Sequence, residues 1–248
     1  MAKTILITGA SSGLGAEMAR QFAPRGHDLA LCARRTDRLE ELKAEITAAH
    51  PDVRVEVRAL DVDDHDAVFE VFRAFRTDFG TIDRVVVNAG LGKGVPLGTG
   101  GFEANRATAM TNFVGALAQT EAALEAFRDQ GYGHLVLISS MSAMRGMPKA
   151  GTTYAATKAG VAHLAEGVRA ELYGSRIKVS VIYPGYIRSE MNERMRVPFI
   201  VPTEKGVAAI VEAVEKEKPR AQVPAWPWVP LGFALRHLPL SVVRKLMR

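Results

Sequence analysis

Tyr154 and Lys158, in the run Tyr154-Ala155-Ala156-Thr157-Lys158, set a phenol and an ammonium four residues apart. On a helix that spacing puts both side chains on one face, within reach of each other. A free phenol titrates near pH 10, and proton exchange near neutrality needs a drop of about 2 to 3 units, worth roughly 3 to 4 kcal/mol. One cation at about 4 Å supplies roughly 4 kcal/mol at an effective dielectric near 20, so a single lysine suffices to make the tyrosine an acid and base. Taken alone, the pair recurs by chance in many helices. Its meaning depends on what else the chain carries.

A second group of residues is suited to anions. Thr8-Gly9-Ala10-Ser11-Ser12-Gly13-Leu14-Gly15 is a glycine turn between an apolar run and a helical pattern. Glycines allow the backbone to approach a pyrophosphate, and the helix start offers free N–H groups and a positive dipole. The spacing differs from G-x-G-x-x-G. Where the second strand ends, Rossmann-type folds hold the ribose 2′-hydroxyl of NAD with a carboxylate or meet a 2′-phosphate with arginine. Here that strand runs into Arg34 and Arg35 with no acid between. The arginines favour NADP(H), with NAD(H) the weaker candidate.

The elements that must position these groups alternate. Thr4–Thr8 reads as a strand and 13–24 as a helix. His27–Cys32 is a strand, 36–49 a helix with Leu39, Leu42 and Ile46 on one face, and 53–59 a strand. Residues 63–79 are helical, Ile82–Val87 is a β-branched run of the kind buried in a parallel sheet, and 102–130 is a long helical stretch. A strand at 134–139, a helix at 153–173 and a strand at 178–183 follow, then an irregular segment at 186–202 and a helix at 203–218. Such alternation implies right-handed crossovers and a parallel sheet covered on both faces.

In this frame the chain resembles the compact, single-domain branch of the short-chain dehydrogenase/reductase family over residues 3 to 218. The matching motifs are the glycine turn, Asn88-Ala89-Gly90 after the fourth strand, Asn112, Ser139-Ser140, Tyr154 with Lys158, and Pro184-Gly185. The resemblance implies an α/β, Rossmann-type doubly wound parallel sheet and NAD(P)-dependent interconversion of an alcohol and a carbonyl. Tyr154 would be the general acid or base, Lys158 would lower its pKa and hold the nicotinamide ribose, and Ser140 would bind the substrate oxygen. Asn112 would anchor a proton-relaying water. Gly9, Ser11, Ser12, Gly13, Leu14 and Gly15 would line the phosphates and ribose, and Arg34 and Arg35 the 2′-phosphate. Asp61 and Val62 would meet the adenine, Asn88 to Gly90 the adenosine side, and Pro184, Gly185 and Ile187 the nicotinamide. No metal is implied.

Two departures stand out. Ser140 precedes Tyr154 by fourteen residues, one more than usual in the family, and Ser142, at twelve, is the alternative donor. Ser189 stands where a threonine often contacts the carboxamide. Methionines 141, 144 and 147 follow the serine, and Met191 and Met195 fall in the lid segment, which suggests a hydrophobic, bulky substrate. The same fold could also serve a non-catalytic NADP(H) sensor.

Composition narrows the setting. The 248 residues, 48% hydrophobic and 24% charged, suit one large globular domain, and a lone Cys32 suits a reducing, cytoplasmic compartment. The start lacks the pattern of a signal peptide, and no window is apolar enough to span a bilayer. Of 32 basic residues five lie beyond Lys218, while all 27 acidic ones lie before it. The body is therefore neutral, which argues against a nucleic-acid partner. The catalytic domain is expected over 1–218, and 219–248 as an extension carrying Trp226, Trp228 and the basic excess. That tail would pack as a lid, form a subunit contact in a homodimer or homotetramer, or lie on the inner membrane surface.

Overall fold

The computed structural model describes residues 2–193 and 198–246. Its first strand, β1 (Thr4–Thr8), is buried along its whole length and lies in the interior of the sheet, between β2 and β4. Alternation along it divides the interior, with Ile5 and Ile7 facing one layer and Leu6 the other. Six further strands join it: β2 (Asp28–Ala33), β3 (Val55–Ala59), β4 (Arg84–Val87), β5 (Gly133–Ile138), β6 (Ile177–Pro184) and β7 (Arg220–Val223). All pairings are parallel, in the order β3-β2-β1-β4-β5-β6-β7.

Helices cover both faces. On one side α1 (Gly13–Phe22), α2 (Thr36–Ala49) and α7 (Thr203–Glu215) bury Met18, Phe22, Leu39 and Ile210. On the other, α3 (His65–Phe79), α5 (Gly115–Gln130) and α6 (Gly151–Glu171) bury Phe72, Phe75, Phe127 and Val161. This is the expected doubly wound sheet. The order reverses between β1 and β4, and the crevice outside their carboxyl ends is where such sheets bind ligands.

The structure departs from the sequence reading in three places. The long helix at 102–130 is α4 (Phe102–Ala109), a π turn over Met110–Val114, and then α5. Just beyond Lys218, Arg220–Val223 hydrogen-bonds to β6 as an edge strand too short and polar to stand out in sequence. The tail then forms α8 (Ala225–His237) and α9 (Leu240–Leu246). Met195, Met247 and Arg248 lie outside the described residues. Among those described, no helix is long and apolar enough to cross a membrane.

At the opposite end from the crevice, fully buried Arg84 donates through Nε to His134 Nδ1 at 2.9 Å and pairs with Glu215, which also meets His27. His134 Nε2 therefore carries the imidazole proton and donates to Ser180 Oγ at 2.8 Å. Burial, then the Arg84 and Lys3 charges, push His134 down to about 3, with Glu215 opposing. Between that value and the ordinary 6.5, the unfolded chain binds a proton that the folded chain refuses, so this contribution is complete above pH 6.5 and lost as pH falls. Comparison with a variant that lacks this imidazole cancels the groups that titrate alike in both proteins. Urea unfolding should show the wild type losing roughly 2 kcal/mol from pH 6.5 to 5 relative to His134→Gln. Equal slopes would refute the assignment.

Candidate active site

The glycine turn connects β1 to α1 under tight steric control. Gly9 has φ +64°, and a Cβ on it would come within 2.9 Å of the Ala89 Cα, while one on Gly15 would collide with the Gly9 carbonyl. Leu14 is only partly buried, packed against the α1–α2–α7 layer. From the neighbouring strand, Asn88 Nδ2 donates to the Thr8 carbonyl at 2.9 Å, and Thr8 Oγ1 accepts from Asn88 N and Ala89 N, both at 3.1 Å. The expected adenosine-side residues thus brace the turn itself.

Arg35 lies over this turn, donating to Ser11 Oγ at 3.3 Å and Ser12 Oγ at 2.6 Å. Arg34 points elsewhere, to Asp61 at 3.7 Å, and both of those side chains are largely exposed. Val62 is buried, with its carbonyl against Gly115. Two further groups that local sequence does not single out join Arg35. Arg38, one turn into α2, and Arg35 both bind Glu190, and Arg38 first and Arg35 next hold its carboxyl below the usual range.

The chemical group gathers at the carboxyl end of β5. Ser139 Oγ donates to the Lys158 carbonyl at 2.7 Å, and Lys158 Nζ donates to the Ile138 carbonyl at 2.9 Å. These bonds dock α6 on the strand end. Ser140 accepts from Ser142 N at 3.2 Å, leaving its own proton to donate toward Tyr154. The Ser142 hydroxyl is buried without a hydrogen-bond partner among the described residues. Asn112 sits in the π turn, its amide committed to Leu91 through both atoms, at 2.6 and 2.8 Å, and to Thr157 at 3.3 Å. Gly90 draws these parts together: a Cβ there would stand 3.4 Å from Asn112 Oδ1 and 3.5 Å from Lys158 Nζ.

Burial dominates the electrostatics of this pair. Burial raises the Tyr154 pKa, with Ser140 opposing and Tyr186 adding to the rise. Lys158 stands beside it, its Nζ 5.9 Å from the ring centroid and donating to the Ile138 carbonyl, and burial outweighs what that charge contributes. Burial also lowers Lys158 to about 8. At neutral pH the tyrosine is a protonated donor beside a poorly solvated ammonium.

The remaining wall comes from late in the chain. Pro184 ends β6, and Gly185 N donates to the Val223 carbonyl at 2.9 Å. A side chain on Gly185 would collide with the Trp228 indole, which also meets Tyr186 edge-on at 5.4 Å. Met141 is buried and Met144 partly so beneath α8, whereas Met191 is exposed. Ile187 is buried against Gly206.

These residues fit a nicotinamide dinucleotide. Packing against Ala89 and the Gly9 carbonyl keeps Gly9 and Gly15 free of side chains, which leaves bare backbone on the turn beneath Arg35, and the buried ammonium lies within 3.5 Å of the Cβ point on Gly90. Burying Lys158 costs stability, because the unfolded chain binds its proton more tightly between pH 8 and 10.5. Lys158→Met should raise stability on the order of 2 kcal/mol at pH 7 in thermal or urea unfolding, with the gain vanishing toward pH 10.5. A destabilised variant would refute this account.

A family model described as short chain dehydrogenase matches residues 3–198. An uncharacterized oxidoreductase of Mycobacterium tuberculosis is 53% identical, covering 97% of this chain and 96% of its own. An 11-beta-hydroxysteroid dehydrogenase of Arabidopsis thaliana is 35% identical over 90% of this chain and 69% of its own. The solved structure of a short-chain dehydrogenase from Sphingobium yanoikuyae in complex with NADPH superposes with TM-score 0.82 at 29% identity, covering 99% of this chain and 95% of that one.

Proposed function

The chain belongs to the short-chain dehydrogenase family, oxidoreductases with an NAD(P)-binding fold that act on CH–OH groups, and we propose that it interconverts a bulky hydrophobic alcohol and its carbonyl compound using NADP(H). The observation that carries this reading is the convergence of Ser140, Tyr154 and Lys158 at one strand end beside the glycine turn. When bound, the nicotinamide supplies or accepts the hydride. The protein positions the substrate and moves the proton.

Ser140 donates to the substrate oxygen, and Tyr154, protonated at neutral pH, delivers a proton to that oxygen in the reducing direction and takes it back in oxidation. Lys158 holds the nicotinamide ribose, and its charge stabilises the phenolate left behind. Asn112, fixed on Leu91, carries the water that returns the proton to solvent. Gly9 to Gly15 hold the phosphates, Asp61 and Val62 the adenine, and Pro184, Gly185 and Ile187 the nicotinamide. Arg35 is the principal 2′-phosphate ligand, since it is already anchored on the turn, and Arg34 is secondary. The Met141, Met144, Tyr186 and Trp228 wall supports an apolar substrate, in keeping with a steroid dehydrogenase among the relatives.

Tyr154→Phe should reduce turnover of a hydrophobic ketone by about a thousandfold or more, leaving NADPH binding, followed by tryptophan fluorescence, within about twofold. NADPH should bind more tightly than NADH in the same titration. An active variant would overturn the catalytic assignment, and tighter NADH binding the cofactor assignment.

A groove of about 740 Å³ between α5 and α6, with Leu117, Leu124, Leu164 and Val168, supports a homo-oligomer. Buried, free Cys32 suits the cytoplasm. On α8 the inner side is occupied by Trp228, while Trp226 (78% exposed), Phe233 (69%) and Arg236 face outward, a set that supports contact with an anionic membrane surface. Because the tail contributes β7, the test is a surface variant rather than a truncation. Trp226→Ala with Phe233→Ala should shift the protein from the pellet to the supernatant in co-sedimentation with anionic liposomes; equal partitioning would dismiss the contact.

A further inference from the structure

The segment after β6 crosses the proposed cofactor cradle. Ser189 Cβ lies 3.5 Å from where a Cβ on Gly13 would stand, and Met191 Sδ lies 3.1 Å from the corresponding point on Gly92, in the loop after β4. Between them Glu190 reaches the far wall. Its Oε2 accepts from Nη1 and Nη2 of Arg35, each at 3.2 Å, and its Oε1 accepts from Arg38. Arg35 is meanwhile anchored on Ser11 and Ser12. One carboxylate therefore ties the 189–192 turn to both the glycine turn and the start of α2.

We propose that Glu190 is a latch on the 2′-phosphate site: its carboxylate occupies the Arg35 and Arg38 guanidiniums until a 2′-phosphate replaces it, and the exchange frees the 189–192 turn from the cradle. The inference rests on the reading of Arg35 as the 2′-phosphate ligand. It adds Arg38 to that site and makes Glu190 a determinant of cofactor choice.

Chemistry favours the exchange. A phosphomonoester carries about −1.5 to −2 charges at pH 7 and three acceptor oxygens, against one charge and two oxygens for the carboxylate. Glu190 is 53% exposed, so its ion pairs are screened and individually weak. If it stayed in place it would set an anion against the phosphate. A ligand with only a 2′-hydroxyl brings no anion to displace it.

The turn is also built to move as a unit. Ser189 and Asn192 cap each other, and Asn192 Nδ2 donates to the Ile187 carbonyl at 2.7 Å, so loss of the Glu190 contact leaves the local fold intact. Met191 travels with the turn and leaves Gly92. Recognition of the adenosine-side phosphate is thereby transmitted to the loop beside Asn112 and the substrate end.

Two probes of the full-length protein separate the possibilities: adenosine 2′,5′-bisphosphate and its isomer adenosine 5′-diphosphate, titrated calorimetrically into the wild type and Glu190→Gln, with hydrogen exchange followed over residues 187–193. Glu190→Gln should bind the bisphosphate about tenfold more tightly, with the diphosphate changed by less than about twofold. In the wild type only the bisphosphate should accelerate exchange in the turn. If the wild type prefers the bisphosphate but Glu190→Gln matches it, or binds it more weakly, the latch is overturned and the NADP(H) reading survives. If neither protein prefers the bisphosphate, the NADP(H) reading itself fails and the latch falls with it.

Discussion

The hydrogen bonds that lock the end of β4 onto the end of β1 underlie everything chemical in this protein. Thr8 receives two backbone N–H groups from Asn88 and Ala89, and Asn88 returns a side-chain bond to the Thr8 carbonyl. These contacts fix the floor of the crevice at the point where the strand order reverses. They also explain why glycine is required beside them, since Gly9 and Gly15 pack so closely on this seam that side chains do not fit. The anion-binding turn is rigid because the sheet beneath it is.

A second consequence of that crevice is the cost of its lysine. Lys158 is 5% exposed, its ammonium faces a carbonyl rather than a carboxylate, and its affinity for the proton falls accordingly. A buried cation that faces a carbonyl in place of a carboxylate is unfavourable for folding and useful to a site that must stabilise negative charge as it develops. The Arg84–Glu215–His134 cluster at the other end of the strands shows the contrasting arrangement, in which every charge is partnered and the histidine is kept neutral.

Much of this was legible in the residue pattern. Strand and helix order followed from apolar periodicity, and the pairing of Tyr154 with Lys158 from helical spacing. The electrostatic balance at that same pair is set by burial, which spacing does not show. Spacing places two side chains on one face, but the distance between them and the dielectric around them depend on how α6 docks on β5, where Lys158 finds the Ile138 carbonyl. The π turn that presents Asn112 escaped notice because its residues continue an ordinary helical pattern. Strand β7 escaped because Arg220-Ala221-Gln222-Val223 is short and polar, as an edge strand can be.

Residue order alone carries the short-range facts: the family motifs, the glycine turn, the basic residues after the second strand and the neutral body with its basic tail. Which distant segments meet is a property of the folded chain. Glu190 lies 155 residues from Arg35, and Trp228 lies in α8 while Gly185 follows β6, yet each pair is packed together. Local propensity cannot encode such meetings. They arise because parallel crossovers bring every strand's carboxyl end to one rim, where loops remote in sequence must share the same few ångströms.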